Sequence, residues 1–367
     1  MVVDSVQAAD EHWMQLALRL AEQGVYTTQP NPRVGCVLVR QGQLIGQGFH
    51  ARAGAAHAEV NALRMAGSQA VGATCYVTLE PCCHTGRTPP CLDKLLQAGV
   101  TRVVIGALDS NPCVAGQSVS RLEAAGIAVT VGILAAESRA LNQGFFKRME
   151  QGTPWIRLKL ACSLDGKIAL ANGDSKWITG ELAREDVQRW RAQSCAVLTT
   201  AQTIRLDNPK MNVRLTEALD EGSSQRQPVT VILDTQATLT PDWAVFQQGQ
   251  QVVLLAGKPY PHVFAEHVSC YQIPVINQHL CLVAVMELLG ELAFNEVLVE
   301  AGGILAGKLW QANLWDELIL YQAPKLMGAD ARHLMNLPLL TQMDEIPTLN
   351  CVDQRQIGCD TRFRFLR

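Results

Sequence analysis

Short apolar runs alternate with stretches of helical period along most of this chain. In the first half, Val34–Val39 and Leu44–Gly48 read as strands on either side of a Gln41-Gly42 turn, and Thr74–Leu79, Arg102–Ala107 and Ile127–Val131 read as further strands. Helical spacing marks Asp10–Glu22, Ala58–Ala66, Pro90–Ala98 and Val119–Ala125; each of the last three is followed by glycine, where helices commonly stop. A helical run, Ala135–Glu150, leads into Gln151-Gly152-Thr153-Pro154, which has the composition of a linker. Trp155–Ala161 opens a second series, with strands expected at Val197–Thr200, Val229–Leu233, Val252–Leu255, Val297–Glu300 and Leu318–Tyr321. Its helices are expected at Glu181–Gln193, Leu282–Leu292 and Leu305–Leu309, and the polar segment Leu215–Pro228 is expected to be an exposed loop. Alternating strands and helices predict an α/β protein of two domains, 1–150 and 151–367.

Composition narrows the class. A length of 367 residues suits two domains at roughly 100–200 residues each. Lys and Arg number 31 against 34 Asp and Glu, a net charge of −3, so the chain lacks the basic surplus of a protein that grips nucleic acid electrostatically. The start, MVVDSVQAADEHW, has no basic stretch before an apolar core, which argues against a secretory leader. No apolar run approaches ~18 residues, so no membrane span is expected. A cytoplasmic protein follows, in which clustered cysteines are expected to bind metal or react rather than form disulfides.

The main chemical cluster is His57-Ala58-Glu59, followed by Pro81-Cys82-Cys83-His84 and Pro89-Pro90-Cys91. H-x-E with a downstream Pro-Cys and a second Cys is the signature of zinc nucleobase deaminases. One imidazole and two thiolates hold Zn²⁺ and leave a place for water, whose pKa falls to roughly 7. Glu59 can then move the water proton to a ring nitrogen and to departing ammonia. His57, Cys82 and Cys91 are the expected ligands. The gap between the two cysteines exceeds the usual C-x₂-C, and Cys83 competes on spacing alone. Adjacent side chains rarely converge on one ion, however, and Cys91 at a helix start favours thiolate. His84 is read first as a substrate contact, with a fourth ligand and a surface residue as alternatives. Cys36 and Cys75 read as small core residues.

These residues, with Pro30-Asn31-Pro32-Arg33-Val34-Gly35-Cys36-Val37, Gly48-Phe49-His50 and the whole stretch Pro81–Cys91, resemble the RibD family of bifunctional riboflavin-biosynthesis proteins. That family has the same long gap between its zinc cysteines. The resemblance implies a cytidine-deaminase-like domain acting on 2,5-diamino-6-(5-phosphoribosylamino)pyrimidin-4-one, with Asn31, His50 and His84 lining the substrate pocket and Cys83 inert.

The second half has no G-x-G-x-x-G opening a helix, so no ordinary Rossmann site is predicted. Glu300-Ala301-Gly302-Gly303 follows an expected strand and leads into a helix, an arrangement that can bind phosphate and is also a common plain connection. Lys159 is a charge in an otherwise apolar strand; it either has a partner or snorkels from a sheet edge. Trp177, Trp190, Met327 and Met335 read, taken alone, as core residues. Leu158–Ala169, Ser175–Gly180, Thr203–Pro209, Met211–Arg214 and Ala323–Gly328 resemble the reductase half of the same family, in the same order. The resemblance implies a dihydrofolate-reductase-like domain that uses NADPH to reduce the ribosyl group of the deaminated product to ribityl. It assigns Lys159, Asp207 and Glu300 to the catalytic centre. Substrate falls to Ser175, Arg191, Met211, Arg214 and Glu300, where bidentate arginine suits a 5-phosphate. Cofactor falls to Ala161, Trp177, Thr203, Asp207, Thr235, Gly302, Gly303, Ile304, Leu305, Ala306 and Gly307. Asn208 and Ala201-Gln202 depart from the family pattern in the cofactor loop. A homo-oligomer, dimer or tetramer, joined through the reductase halves is also implied.

Two other classes compete. A nucleic-acid deaminase, such as a tRNA adenosine deaminase fused to a binding half, shares H-x-E and Pro-Cys but calls for a basic groove. A non-catalytic zinc module would be closed by four protein ligands and leaves Glu59 without a purpose.

Overall fold

The structure is a computed structural model describing residues 2–83, 90–112, 114–215 and 226–367. It divides into two compact units, Met1–Gly152 and Thr153–Arg367. The first runs α1 (Val2–Glu22), β1 (Gly35–Arg40), β2 (Gln43–Phe49), α2 (Ala58–Ala66), β3 (Thr74–Leu79), α3 (Cys91–Ala98), β4 (Arg102–Ala107), α4 (Gln117–Ala124), β5 (Ala128–Val131), α5 (Ala135–Leu141) and α6 (Gln143–Gln151). Its strands lie in the order β2-β1-β3-β4-β5, with β1 antiparallel to both neighbours and β3, β4 and β5 mutually parallel.

Successive side chains of a strand point to opposite faces, and here both faces are covered. Cys36, Leu38, Cys75, Val77, Val103 and Ile105 pack with Ala58, Ala62, Leu92, Leu95 and Leu122 of α2, α3 and α4. Val37, Val39, Tyr76 and Val104 pack with Met14, Ala17 and Leu20 of α1. Two-sided burial makes these strands read as continuous apolar runs, which is why they are legible in sequence. Cys36 and Cys75 are core residues, as expected. Helix α2 rests directly on β2: a Cβ at Gly46 would lie 2.4 Å from the Ala62 carbonyl oxygen, and one at Gly48 2.7 Å from that of Ala58.

The helix expected over Ala135–Glu150 is two helices, parted at Asn142. The buried Asn142 side chain accepts a hydrogen bond from the Arg33 N–H (2.8 Å) and donates one to the Arg33 carbonyl (2.8 Å). The amide pairs with a distant main chain as a strand neighbour would, and the helix breaks there.

The second unit runs β6 (Trp155–Ser163), β7 (Lys167–Ala169), α7 (Glu181–Gln193), β8 (Ala196–Thr200), α8 (Ala201–Asp207), β9 (Val229–Leu233), β10 (Val252–Ala256), β11 (Val268–Gln272), β12 (Val275–Ile276), β13 (His279–Leu280), α9 (Leu282–Glu291), β14 (Glu296–Glu300), α10 (Gly303–Gln311), β15 (Glu317–Ala323), β16 (Arg332–His333), β17 (Asn350–Ile357) and β18 (Asp360–Leu366). The main sheet has the order β11-β10-β9-β8-β14-β6-β15-β18-β17, parallel from β11 to β15, with β18 and β17 added antiparallel.

Ile156, Leu158, Leu160, Val297 and Val299 face the layer of α9 and α10. Leu298, Ile319 and Tyr321 face α7. The chain therefore leaves β6 across one face and β14 across the other, and such a reversal opens a crevice beyond the carboxyl ends of the strands. The α7 face is also rich in buried charge. Arg157 bonds Glu296 and Glu317 at 2.7 Å each, and Arg364 bonds Glu317 at 2.7 Å. Arg362 bonds Asp186 at 2.8 Å. These arginines surround the Trp190 ring at 5.3–5.6 Å.

Of the segment expected to be an exposed loop, residues 216–225 lie outside the described ones. Its end is not exposed: Pro228 is buried, and Arg226 donates to the carbonyls of Ala192 and Ser194.

Candidate active sites

In the first unit, His57 caps α2, Glu59 lies in that helix's first turn, Cys82 follows β3, and Cys91 begins α3. The Cys91 Sγ lies 3.2 Å from His57 Nδ1, the Cys82 Sγ 3.6 Å from it, and the Cys91 N–H donates to the Cys82 Sγ at 3.3 Å. All three candidate donor atoms fall within 4.8 Å of one another. A hydrogen bond from the Cys91 thiol, with others from His57 and the Cys91 N–H, pushes the Cys82 thiol down to about 4. The same bond and burial push Cys91 well up. Two sulfurs that share a proton beside an imidazole suit a tetrahedral Zn²⁺ site with three protein ligands. Cys83 instead packs against the core beneath α2 and α3.

Glu59 is 3% exposed, and burial, then the Cys82 charge, raise its carboxyl pKa. His50 stands beside His57, ring centroids 5.1 Å apart. Its Nδ1 lies 3.3 Å from the Ala56 carbonyl, which can only accept, so Nδ1 carries the hydrogen and Nε2 accepts from the Asn31 amide at 3.1 Å. Burial lowers the His50 pKa, in keeping with a neutral ring. Asn31 and His50 thus adjoin the metal-ligand cluster. His84 lies outside the described residues.

Two positioning groups were not legible in sequence. Asn61 donates to the carbonyls of Phe49 (2.9 Å) and Ala56 (3.4 Å), tying the His50–His57 loop to α2. Glu80, buried next to Pro81-Cys82, accepts from the N–H groups of Asp109 (3.2 Å), Gly116 (3.0 Å) and Ser118 (3.1 Å). Nothing in an isolated Glu-Pro-Cys indicates that its carboxylate is bound by backbone 29–38 residues away.

In the second unit, Lys159, Arg191 and Glu300 converge at the carboxyl end of β14, where Glu300 pairs in register with Lys159 in the middle of β6. Arg191 is bidentate to Glu300 (Nε–Oε1 2.5 Å, Nη2–Oε2 2.8 Å) and donates Nη1 to the Asn212 carbonyl at 3.0 Å. Burial alone would raise the Glu300 carboxyl, but Arg191, Lys159 and Arg214 together hold it below its ordinary value. Burial lowers Lys159, against the pull of Glu300. Because β6 is central in its sheet, Lys159 does not snorkel from an edge. Arg214 is exposed. Asp207 pairs with Lys176 at 3.0 Å, bridging the end of α8 to the segment that holds half-buried Ser175 and exposed Trp177. Trp177 is no core residue: it is 64% exposed, with the Arg184 guanidinium 4.6 Å from its ring centre, whereas Trp190 is buried as expected.

Other expected contacts divide by burial. Ala161, Thr203 and Thr235 are half-buried at or beyond the carboxyl ends of β6, β8 and β9. The Met211 side chain lies in the core with Ile204, Leu239 and Val245, so only its backbone can meet a ligand. Met335 packs partly against the core, and Met327 is half-buried. Within 302–307, Leu305 and Ala306 belong to the core. Gly303 and Gly307 make room for other backbone: a Cβ there would lie 2.8 Å from the Leu334 carbonyl oxygen and 2.1 Å from that of Asn336. Gly302 has nothing within 4 Å of such a Cβ, and Ile304 is 53% exposed. The opening turn of α10 therefore offers free amides and open space, which fits a dinucleotide phosphate.

Residues 7–107 match the cytidine and deoxycytidylate deaminase zinc-binding region, and residues 154–363 match the RibD C-terminal domain. The chain is 48% identical over 357 residues to the riboflavin biosynthesis protein RibD of Escherichia coli (strain K12), covering 96% of this chain and 97% of the relative. It is 47% identical over 360 residues to that of Haemophilus influenzae, covering 96% of each. Among solved structures, Acinetobacter baumannii RibD (form 1) superposes with a TM-score of 0.91 at 44% identity, covering 98% of this chain and 99% of the other. A diaminohydroxyphosphoribosylaminopyrimidine deaminase/5-amino-6-(5-phosphoribosylamino)uracil reductase from Thermotoga maritima gives 0.85 at 32%, with the same coverage.

Proposed function

This chain belongs to the RibD family, bifunctional deaminase/reductases of riboflavin biosynthesis, and from that premise we propose how its residues divide the work. The similarity spans the whole chain, which leaves no separate half for the RNA-binding alternative. Zinc and NADPH are its cofactors. The proposed division is a pyrimidine deaminase over 1–150 and a reductase over 151–367.

His57, Cys82 and Cys91 would hold zinc, which when bound makes water nucleophilic near neutral pH. Glu59 accepts one water proton and passes it to the ring nitrogen, then carries the second, from the hydroxyl added to the ring carbon, to the leaving ammonia, so an exocyclic amine is exchanged for oxygen. Asn31 and His50, oriented by each other, orient the ring of 2,5-diamino-6-(5-phosphoribosylamino)pyrimidin-4-one. The observation that carries this reading is the buried Glu59 in the same helical turn that presents His57 to both cysteines.

In the reductase half, bound NADPH would supply the hydride for C1′ of the ribosylamino group. Lys159 and Glu300 face that carbon's substituents, Asp207 borders both ligands, and Arg191 and Arg214 provide the positive field for the 5-phosphate. Ser175 and the Met211 backbone complete the substrate side. Trp177, Thr203, Thr235 and the Gly302–Ile304 turn border the cofactor.

One coupled assay tests both halves. Glu59→Gln should lower ammonia release by at least about 100-fold, while zinc content and NADPH oxidation on preformed product persist; Lys159→Met should do the reverse. If Glu59→Gln keeps full ammonia release, the deaminase assignment is wrong.

We further propose a homo-oligomer. Leu339 and Met343 are 90% and 83% exposed, and Leu337, Leu340, Ile346 and Val352 are also exposed, in and before the edge strand β17. A run of exposed apolar side chains beside an edge strand marks an interface. Sedimentation equilibrium should give a dimer or tetramer, which Leu339→Glu weakens; a monomer refutes it. No helix of the described residues is long and apolar enough to cross a membrane. A cytoplasmic location fits, and recovery in the membrane fraction of lysed cells would oppose it.

A further inference from the structure

We propose that Arg205 contacts the 2′-phosphate of NADPH and thereby sets the reductase half's preference for NADPH over NADH. The proposal rests on the reductase reading above and adds a specificity residue to it.

Strands β14, β8 and β9 are consecutive in the sheet. From the Gly302 turn after β14 to the end of β9 is therefore two strand spacings, about 10 Å. A nucleotide whose pyrophosphate lies at the start of α10 extends its adenosine ribose along this edge, past Thr203 toward Thr235. In dinucleotide-binding α/β sheets an acidic residue near a strand end accepts the ribose 2′-hydroxyl of NAD, and a nearby arginine receives the 2′-phosphate of NADP.

The acid at this place is Asp234, directly after β9, and it is fully occupied. Its Oδ2 accepts from the N–H groups of Thr238 (2.7 Å) and Leu239 (2.9 Å) and from the Tyr260 hydroxyl (3.0 Å). Its Oδ1 accepts from the Thr238 hydroxyl at 3.0 Å, and the residue is 3% exposed. An acid so engaged folds the loop and has no lone pair turned outward for a 2′-hydroxyl.

Arg205, on α8, reaches the same loop. Its Nη1 donates to Thr238 Oγ1 at 2.7 Å. The Thr238 proton is committed to Asp234, so the hydroxyl presents a lone pair to Arg205 and anchors one corner of the guanidinium. Among the described residues Arg205 makes no ion pair, unlike Arg191 or Arg157. The remaining N–H donors of this exposed guanidinium, tethered to Thr238 three residues beyond Thr235, match the fork geometry of a phosphate monoester.

Calorimetric titration of the full chain with 2′,5′-ADP and with 5′-AMP reads the 2′-phosphate directly, without turnover. The wild-type chain should bind 2′,5′-ADP about tenfold or more tightly than 5′-AMP. Arg205→Leu should bring the two within about threefold of each other, Arg205→Lys should keep part of the discrimination, and Thr238→Val should reduce it. The NADPH/NADH ratio of kcat/KM should fall in the same order. A wild-type ratio in Arg205→Leu, or equal loss of both ligands, overturns the proposal. If the wild-type chain binds neither 2′,5′-ADP nor NADPH, the reductase reading itself fails. If NADPH binds and the leucine variant leaves the ratio unmoved, only the role of Arg205 fails.

Discussion

Asn142→Ala isolates a contact between the break in a helix and the deaminase pocket. The Asn142 amide makes two bonds of 2.8 Å to the main chain of Arg33, at a place where Arg33 is 6% and Asn142 4% exposed. Alanine strips a buried N–H and a buried carbonyl of that partner at once. Leaving such groups unmet costs about 1–3 kcal/mol each, so the loss in the first unit is about 2–6 kcal/mol. For a unit of this size about 2–4 °C accompanies each kcal/mol, so its midpoint should fall by roughly 4–24 °C. Heating followed by separate measurement of ammonia release and NADPH oxidation keeps the two units apart. Only the deaminase midpoint should drop. Because Asn31 is two residues from Arg33, the pyrimidine KM of the surviving enzyme should also rise, with little change in the reductase KM. A deaminase midpoint within about 1 °C of wild type would mean that water or backbone movement replaces the amide, and the reasoning fails.

Arg157→Met leaves Glu296 and Glu317 buried without the cation between them, and should destabilise the second unit by about 3–5 kcal/mol; heat inactivation of NADPH oxidation checks this, and a neutral result would show that the carboxylates take up protons at no cost. Glu300 has a folded pKa held below its ordinary 4.5. Its stabilising contribution is therefore complete above pH about 4.5 and lost as pH falls through the lower folded value. Denaturant unfolding between pH 3 and 6 should show a steeper acid loss in wild type than in Glu300→Gln, and parallel curves would refute the ion-pair account.

The first unit was largely legible because its strands are apolar on both faces and its helices stop at glycine. The His57, Cys82 and Cys91 cluster there was legible because three metal-binding side chains of two types stand in a spaced pattern, the histidine two residues before an acid. In the second unit the inward face of the sheet carries Arg157, Glu296, Glu317, Arg362 and Arg364, which hydropathy assigns to solvent. The hairpin β17–β18 escaped notice for that reason, although Phe363 and Phe365 alternate with those arginines. Trp177 fails in the opposite sense, an indole that hydropathy places in the core and the fold leaves outside. The bidentate partner of Arg191 is 109 residues away, so no local pattern could show that its guanidinium is already engaged. Gly303 and Gly307 look like phosphate-loop glycines, and no local pattern shows that each also leaves room for the backbone of Leu334 or Asn336.

Main chain meets main chain where α2 rests on Gly46 and Gly48, and this determines what variation the metal centre tolerates. The contact there is set by the Ala58 and Ala62 carbonyls and the Asn61 Cβ, with no side chain from the strand between them. A single added methyl at either glycine would wedge the helix outward and carry the imidazole and the proton-transferring acid away from both sulfurs together. The catalytic register of this half is thus exposed to abrupt loss at two glycines that contribute no metal-binding atom.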